Sequence, residues 1–193
     1  MSDKIKVQVY RWAGQFGPFK VKIPCGDCTL TKDIIKDTLE TELAEIPTEV
    51  ETKDWLSHWW EPLFKGGIHA PIVLVGGKIV SQGAALNRGL LTQAIIEEYI
   101  KTSSIQGNVV FGKETCPYCK KAKKMLDEQG ISYQYFDVVK EPRALYEMIP
   151  RVKEIIGLKT PVTVPQIWMD GRYVGGADQL SEFLSSQEQR RSS

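Results

Sequence analysis

The four cysteines of this chain fall into two vicinal pairs, Cys25-Gly26-Asp27-Cys28 and Cys116-Pro117-Tyr118-Cys119, so every thiol it carries sits in a C-x-x-C spacing. Two thiols held two residues apart at a helix start can open and close a disulfide with little backbone movement. The chemistry such pairs support is exchange: a thiolate attacks a disulfide sulfur, a mixed disulfide forms, and the second thiol displaces the bound half.

The elements around the second pair follow from local patterning. Asn108-Val109-Val110-Phe111 reads as a buried strand, Gly112 to Thr115 as a turn, and the residues after Cys116 as a helix. Thr115 is the expected cap, and Pro117 suits a first turn, where a missing N–H costs nothing. Cys116 then lies at the positive end of the helix, with Lys113, Lys120, Lys121, Lys123 and Lys124 adding positive field, which makes it the expected nucleophile. Cys119, Ala122 and Leu126, with Met125 beside them, share a core-facing stripe, so Cys119 is the expected resolving thiol.

Three motifs in order give residues 108–184 a resemblance to the dithiol glutaredoxins of the thioredoxin fold: Lys113-Glu-Thr-Cys-Pro-Tyr-Cys119, Thr163-Val164-Pro165, and Gly175-Gly176-Ala177-Asp178-Gln179-Leu180. The resemblance implies that Pro165 is cis and that the Val164 backbone receives the cysteinyl part of glutathione as an added strand. It also implies that Lys113 and Asp178 hold the charged ends of glutathione, that Tyr118 lines the groove, and that the Gly176 loop borders it. Two departures stand out: an additional proline, Pro161, in Leu158-Lys159-Thr160-Pro161-Val162, and Gln179 where the family commonly has an acidic residue.

The rest of this half reads as a strand at Tyr133–Val138, a helix at Arg143–Ile156 broken near Pro150, a hairpin turning at Asp170-Gly171, and a last helix from about Asp178. The first half repeats the plan. Lys6–Tyr10 alternates as a strand, a helix is expected over about Lys32–Leu43, Pro71 opens the buried strand Ile72–Val75, and Gly76-Gly77 turns into Lys78–Ser81 before a helix at Arg88–Ile100. Trp12 to Ile23 form an insertion in which Phe19, Val21 and Ile23 suggest an extra strand. The parallel with Pro165 makes Pro71 an expected cis proline and substrate-facing residue. The chain is thus expected to be α/β, two tandem thioredoxin-like domains, each a small mixed sheet flanked by helices. Their ranges are 1–104 and 105–193, joined by the polar stretch Lys101–Gly107, and Ser185–Ser193 reads as a solvated tail.

Asp27 lies between Cys25 and Cys28 and disfavours a neighbouring thiolate, so the two pairs are expected to differ in potential and could form an internal relay. The competing readings of the pairs are a structural disulfide and a zinc or iron–sulfur site. Zinc ribbons space their pairs by ~15–20 residues, whereas here a whole domain intervenes. His58 is expected in a surface or packing role. His69, two residues before Pro71, either packs or tunes Cys25. Trp55, Trp59 and Trp60 recur at helical spacing, which suggests a packed helix face, with a partner-binding groove as the alternative.

A net charge of +1 over 193 residues gives no basic tract for nucleic acid, and no apolar run is long enough for a membrane span. Met1–Ile5 leads into a strand without the apolar core of a secretory signal, so a cytoplasmic location is expected, where reductants keep thiol pairs available. The expected activity is thiol–disulfide exchange on protein disulfides or glutathione mixed disulfides. Cys116 and Cys119 carry it, Cys25 and Cys28 form a second redox pair, and no cofactor or metal is bound. Glutathione is the co-substrate, and glutathione or a reductase regenerates the dithiol. The rival functions are a metal or iron–sulfur carrier, and an adaptor whose first domain binds a protein.

Overall fold

The computed structural model describes residues 4–22, 24–157 and 161–191. The chain divides into two compact units, 1–102 and 103–193.

In the first unit, β1 (Ile5–Arg11) runs into a hairpin of β2 (Ala13–Phe16) and β3 (Phe19–Lys22), followed by α1 (Gly26–Glu40) and β4 (Thr48–Asp54). A 3-10 turn at Trp55–Ser57 and a short helix α2 (Trp60–Leu63) lead to β5 (Ile72–Val75), β6 (Lys78–Gln82) and α3 (Arg88–Thr102). The sheet order is β4-β1-β5-β6, with β1 parallel to β4, antiparallel to β5, and β5 antiparallel to β6. The insertion makes its own two-stranded hairpin, as Phe19 and Val21 suggest, while Ile23 lies outside the described residues.

The second unit has β7 (Val109–Gly112), α4 (Pro117–Glu128), β8 (Gln134–Asp137), α5 (Pro142–Ile156), β9 (Gln166–Met169), β10 (Arg172–Gly175) and α6 (Ala177–Arg191). Its sheet is β8-β7-β9-β10, with β7 parallel to β8 and antiparallel to β9, so the topology of the first sheet recurs strand for strand. Alternation along β7 sorts its side chains to the two faces of the sheet. Val110 packs with Ala122, Leu126, Leu180 and Leu184 from α4 and α6, whereas Val109 and Phe111 pack with Ala144, Met148 and Val152 of α5. A strand buried on both faces reads as a continuous apolar run, which is why Val109-Val110-Phe111 was legible. The chain is therefore mixed α/β with two sheet-plus-helix units.

Several boundaries differ from the sequence reading. Helix α1 begins at Gly26, directly after Cys25, and not near Lys32. Helix α5 runs unbroken through Pro150, and α6 continues to Arg191 where a solvated tail was expected. Lys101 and Thr102 belong to α3, which shortens the connecting stretch. The tryptophans do not share a helix face: Trp55 opens the 3-10 turn, Trp60 opens α2, and Trp59 and Trp60 are 39% and 45% exposed. Leu158, Lys159 and Thr160 lie outside the described residues.

Candidate active site

Helix α4 begins at Pro117, so its N-cap is Cys116 itself. Thr115 sits one residue too early to cap. Its N-cap place sets the sulfur near first-turn N–H groups that have no partner within the helix, although it closes no side-chain cap hydrogen bond of the kind Cys25 makes in α1. Burial pushes the Cys116 thiol up, but the Cys119 N–H and side chain, the Tyr118 N–H and the Lys113 charge outweigh it, and its pKa lies below the ordinary thiol value. Among the lysines named from the sequence, Lys113 is the one that acts here. Lys121 is paired with Asp178 at 2.8 Å and Lys124 with Glu128 at 3.6 Å.

Cys119 is 1% exposed, on the same stripe as Ala122 and Leu126. Burial pushes its pKa up to about 11, although the Lys113 N–H donates to its sulfur at 3.3 Å. One thiol is thus poised to ionise and its neighbour is held protonated.

The Thr163-Val164-Pro165 turn meets this pair. The Val164–Pro165 peptide is cis, and the Cys116 thiol donates to the Val164 carbonyl at 3.7 Å. Gln166, 5% exposed, fixes the turn by donating from Nε2 to the Thr163 carbonyl at 2.7 Å and accepting the Tyr173 hydroxyl at Oε1 at 2.5 Å. Gly176 precedes α6. Its N–H donates to Gln179 Oε1 at 3.1 Å, and a side chain there would meet Gln179 and approach the Pro165 carbonyl. Gln179 therefore satisfies the Gly176 N–H with a neutral amide oxygen, a one-way cap because glycine has no side chain to return the bond. Asp178 lies in the first turn of α6, where a carboxylate is favoured. Tyr118 is exposed.

Two contributors escaped the sequence reading. Asp137, 4% exposed at the end of β8, accepts the N–H groups of Glu114 (3.1 Å), Val139 (2.9 Å) and Lys140 (3.1 Å). Burial alone would raise its pKa, but these donors and Lys140 hold it below the ordinary carboxylate value, and it ties the active-site loop to β8. Gln166 is the other, and its place directly after Pro165 was the only signal.

In the first unit, Cys25 is the N-cap of α1 and its sulfur accepts the Cys28 N–H at 3.2 Å. Cys28 is half-buried. Burial, the Cys25 side chain and the nearby Asp27 charge push its pKa up to about 11 against the Trp12 N–H, which donates to its sulfur at 3.4 Å. A cavity of about 990 Å³ lies beside the pair, with Trp12, Pro24, Cys25, Cys28 and Lys32 in its lining. The Ala70–Pro71 peptide is cis. Neither Pro71 nor His69 is among the described residues lining that cavity. His69 stacks on Trp12 at 6.3 Å, and Trp12 on Trp55 at 4.9 Å, so Trp12, which donates to the Cys28 sulfur, links His69 to the pair. His58 contacts the Asp54 carbonyl at 3.1 Å.

All four cysteines are free thiols. Among the described residues no group of three or more His, Cys, Asp or Glu is arranged to hold a metal ion, and no helix is long and apolar enough to cross a membrane.

Comparison with known proteins bears on the second unit. The glutaredoxin family model matches residues 108–174. Glutaredoxin 3 of Escherichia coli K12 is 38% identical over 71 residues, covering 37% of this chain and 77% of that protein. Glutaredoxin-C4 of Arabidopsis thaliana is 34% identical over 88 residues, 46% of this chain and 62% of its own length. Among solved structures, a buckwheat glutaredoxin–glutathione complex aligns with 53% of this chain and 87% of that one, at 24% identity and a TM-score of 0.40. The chain belongs to the glutaredoxin family through its second unit. Glutaredoxins are thiol–disulfide oxidoreductases that use glutathione as co-substrate.

Proposed function

We propose that this protein is a dithiol oxidoreductase that reduces protein disulfides and glutathione mixed disulfides, with Cys116 as nucleophile and Cys119 as resolving thiol. The observation that carries this reading is the opposed state of the two sulfurs: Cys116 lowered at a helix N-cap beside the Val164 carbonyl, Cys119 buried and raised behind it. The Cys116 thiolate attacks one sulfur of the substrate disulfide, forming a mixed disulfide and expelling the other half as a thiolate. Cys119 then loses its proton to solvent and attacks the Cys116 sulfur. The bound half leaves as a thiolate that takes up a proton, so the substrate gains two electrons and the pair becomes a disulfide. Two glutathione molecules return the pair to dithiol and leave as oxidised glutathione.

Glutathione fits the site through an exposed cationic side chain at Lys113, the backbone of Thr163, Val164 and Pro165, the Gly176 loop, and the Asp178 carboxylate, with Tyr118 along the groove. The domain ranges 1–104 and 105–193 make the first unit an N-terminal thioredoxin-like fusion partner. Its Cys25 and Cys28 act as a second redox pair, supported by the Cys25 N-cap and the cavity beside it. Pro71 lies at the start of β5, the counterpart of Pro165 at the start of β9, and is assigned to substrate contact on that ground. A reducing compartment such as the cytoplasm suits this use of vicinal thiols.

Steady-state turnover of a glutathione mixed disulfide and of insulin disulfides tests the assignment across Cys25→Ser, Cys28→Ser, Cys116→Ser and Cys119→Ser. Each is run with glutathione and glutathione reductase or with thioredoxin reductase. Cys116→Ser abolishes both activities of the second unit, and Cys119→Ser keeps the mixed-disulfide activity and loses insulin reduction. Retention of insulin reduction by Cys119→Ser removes the dithiol mechanism, and unchanged rates in Cys25→Ser and Cys28→Ser remove the second pair.

A further inference from the structure

The Tyr135 hydroxyl is sealed from solvent and has no hydrogen-bond partner. An unpartnered buried hydroxyl is costly to hold in a fold, a cost that a functional role would offset. Its position supplies one. A Cβ placed on Gly112 would lie 3.0 Å from Tyr135 Oη and 3.1 Å from Cys119 Sγ, so the two atoms face the same gap and lie within about 6 Å of each other. Gly112 leaves that gap open because it has no side chain. Cys119 and Tyr135 also line one recess together with Lys113, Lys120 and Lys123, and the Lys123 ammonium sits 4.4 Å from the centre of the Tyr135 ring.

We propose that Tyr135 is a positioning residue for the resolving thiol, a small movement of either side chain into the gap at Gly112 bringing its hydroxyl into position to donate a hydrogen bond to the Cys119 sulfur whenever that sulfur becomes a thiolate. This rests on Cys119 acting as the resolving group. The sulfur carries negative charge twice in the cycle. It does so when Cys119 gives its proton to solvent and attacks the mixed disulfide at Cys116. It does so again when glutathione attacks Cys116 of the oxidised pair, the S–S bond breaks and Cys119 leaves with the electron pair. The tyrosine keeps its proton throughout and supplies only the hydrogen bond. Burial and the negative fields of Cys119, Asp137, Glu114 and Cys116 push its pKa up to about 12, so the hydroxyl is a donor across the working range. In the resting thiol state the sulfur already accepts the Lys113 N–H, and the hydroxyl waits without a partner.

The test is Tyr135→Phe in the full chain, read by alkylation followed at each cysteine peptide by mass spectrometry, so that Cys25 and Cys28 do not enter the signal. In the Cys116→Ser background, iodoacetamide modification of Cys119 at a fixed alkaline pH is expected to slow about tenfold when the hydroxyl is removed, the size of one charge-assisted hydrogen bond. In the Cys119→Ser background, alkylation of Cys116 is expected to stay the same, which a general loosening of the fold would not allow. Equal Cys119 rates with Tyr or Phe at position 135 overturn the proposal. So does a parallel change at Cys116. Neither result depends on insulin turnover by Cys119→Ser, so failure of the dithiol reading and failure of the tyrosine's role are separate outcomes.

Discussion

The Cys116 sulfur faces the Val164 carbonyl at 3.7 Å, across a junction between the start of α4 and the turn before β9. The proposed nucleophile and the backbone proposed to pair with substrate are therefore set by two elements more than 40 residues apart in sequence, and what fixes the turn also fixes their separation. An extended substrate segment that pairs with Val164 brings its sulfur to the nucleophile without a change in the sheet.

The two thiols of this site should titrate far apart. Thiolate is the reactive form, so alkylation of Cys116 is expected to reach its plateau below the range of a free cysteine, whose pKa is about 8.5. Cys119, measured in Cys116→Ser, is expected to reach half-maximal rate above the range of a free cysteine, because burial, the largest cause of its raised pKa, persists when the Cys116 sulfur is removed. Rate–pH profiles with iodoacetamide check both, and a Cys116 midpoint at or above that of a free cysteine would contradict the assignment.

Lys113 contributes positive field to Cys116, so Lys113→Met should raise the pKa of that thiol and lower its thiolate fraction at neutral pH. The side chain is exposed and screened, which limits the expected slowing to about two- to threefold, shrinking further at high salt. Lys121→Met, whose charge is already matched by Asp178, is expected to change the rate less. Alkylation kinetics at low and high ionic strength separate the two.

Asp137 should be read through the three amides it accepts. Asp137→Asn offers one oxygen in place of two and turns an NH₂ toward a donor, at a cost of about 1–3 kcal/mol. Faster hydrogen exchange at the Glu114, Val139 and Lys140 amides is the expected signature. Because its folded pKa is depressed, the carboxylate's contribution is complete above about pH 4, the unfolded value, and is lost as pH falls through the folded one. The exchange rates of wild type and variant are therefore expected to converge in acid.

Gln166 joins the Thr163 carbonyl to the Tyr173 hydroxyl and so holds the turn that presents Val164. Gln166→Ala is expected to raise KM for a glutathione mixed disulfide about three- to tenfold, with a smaller effect on kcat, since chemistry at Cys116 is untouched while binding geometry is loosened. Steady-state kinetics decide it, and an unchanged KM would show that the turn holds without this side chain.

How far the sequence reaches depends on what each element needs. β7 was readable because both its faces are buried, and Cys119, Ala122 and Leu126 because one helical face repeats every three to four residues. β4 was not, since Thr48-Glu-Val-Glu-Thr-Lys-Asp54 forms an edge strand whose single aliphatic residue, Val50, is exposed. Its partner is β1 by backbone pairing, which leaves little mark on composition. Helix α1 was placed too late because its first turn holds Gly26 and Asp27 instead of apolar residues. α6 was cut short because its end is polar, yet Gln129 reaches Glu188 at 2.5 Å and ties that end to α4. In the site, cysteines advertise themselves by spacing. Asp137 and Gln166 act through backbone groups brought close by folding, and nothing in their local sequence announces that.

The first pair can be followed through its aromatic neighbour. Trp12 donates its backbone N–H to the Cys28 sulfur at 3.4 Å and stacks its ring on Trp55 at 4.9 Å, so a disulfide between Cys25 and Cys28 has to withdraw or redirect the sulfur that this N–H addresses. Cys25 and Cys28 already approach closely, as the 3.2 Å contact between the Cys28 N–H and the Cys25 sulfur shows. In a Cys116→Ser/Cys119→Ser chain, oxidation with diamide is therefore expected to change tryptophan fluorescence, and dithiothreitol to restore it. The change should vanish in Cys28→Ser and shrink in Trp12→Phe. A silent emission spectrum, with mass spectrometry confirming the loss of two hydrogens, would mean that the pair oxidises without moving the Trp12 backbone. No signal and no loss of mass would leave the first unit without a redox function and remove any transfer of electrons between Cys25/Cys28 and Cys116/Cys119.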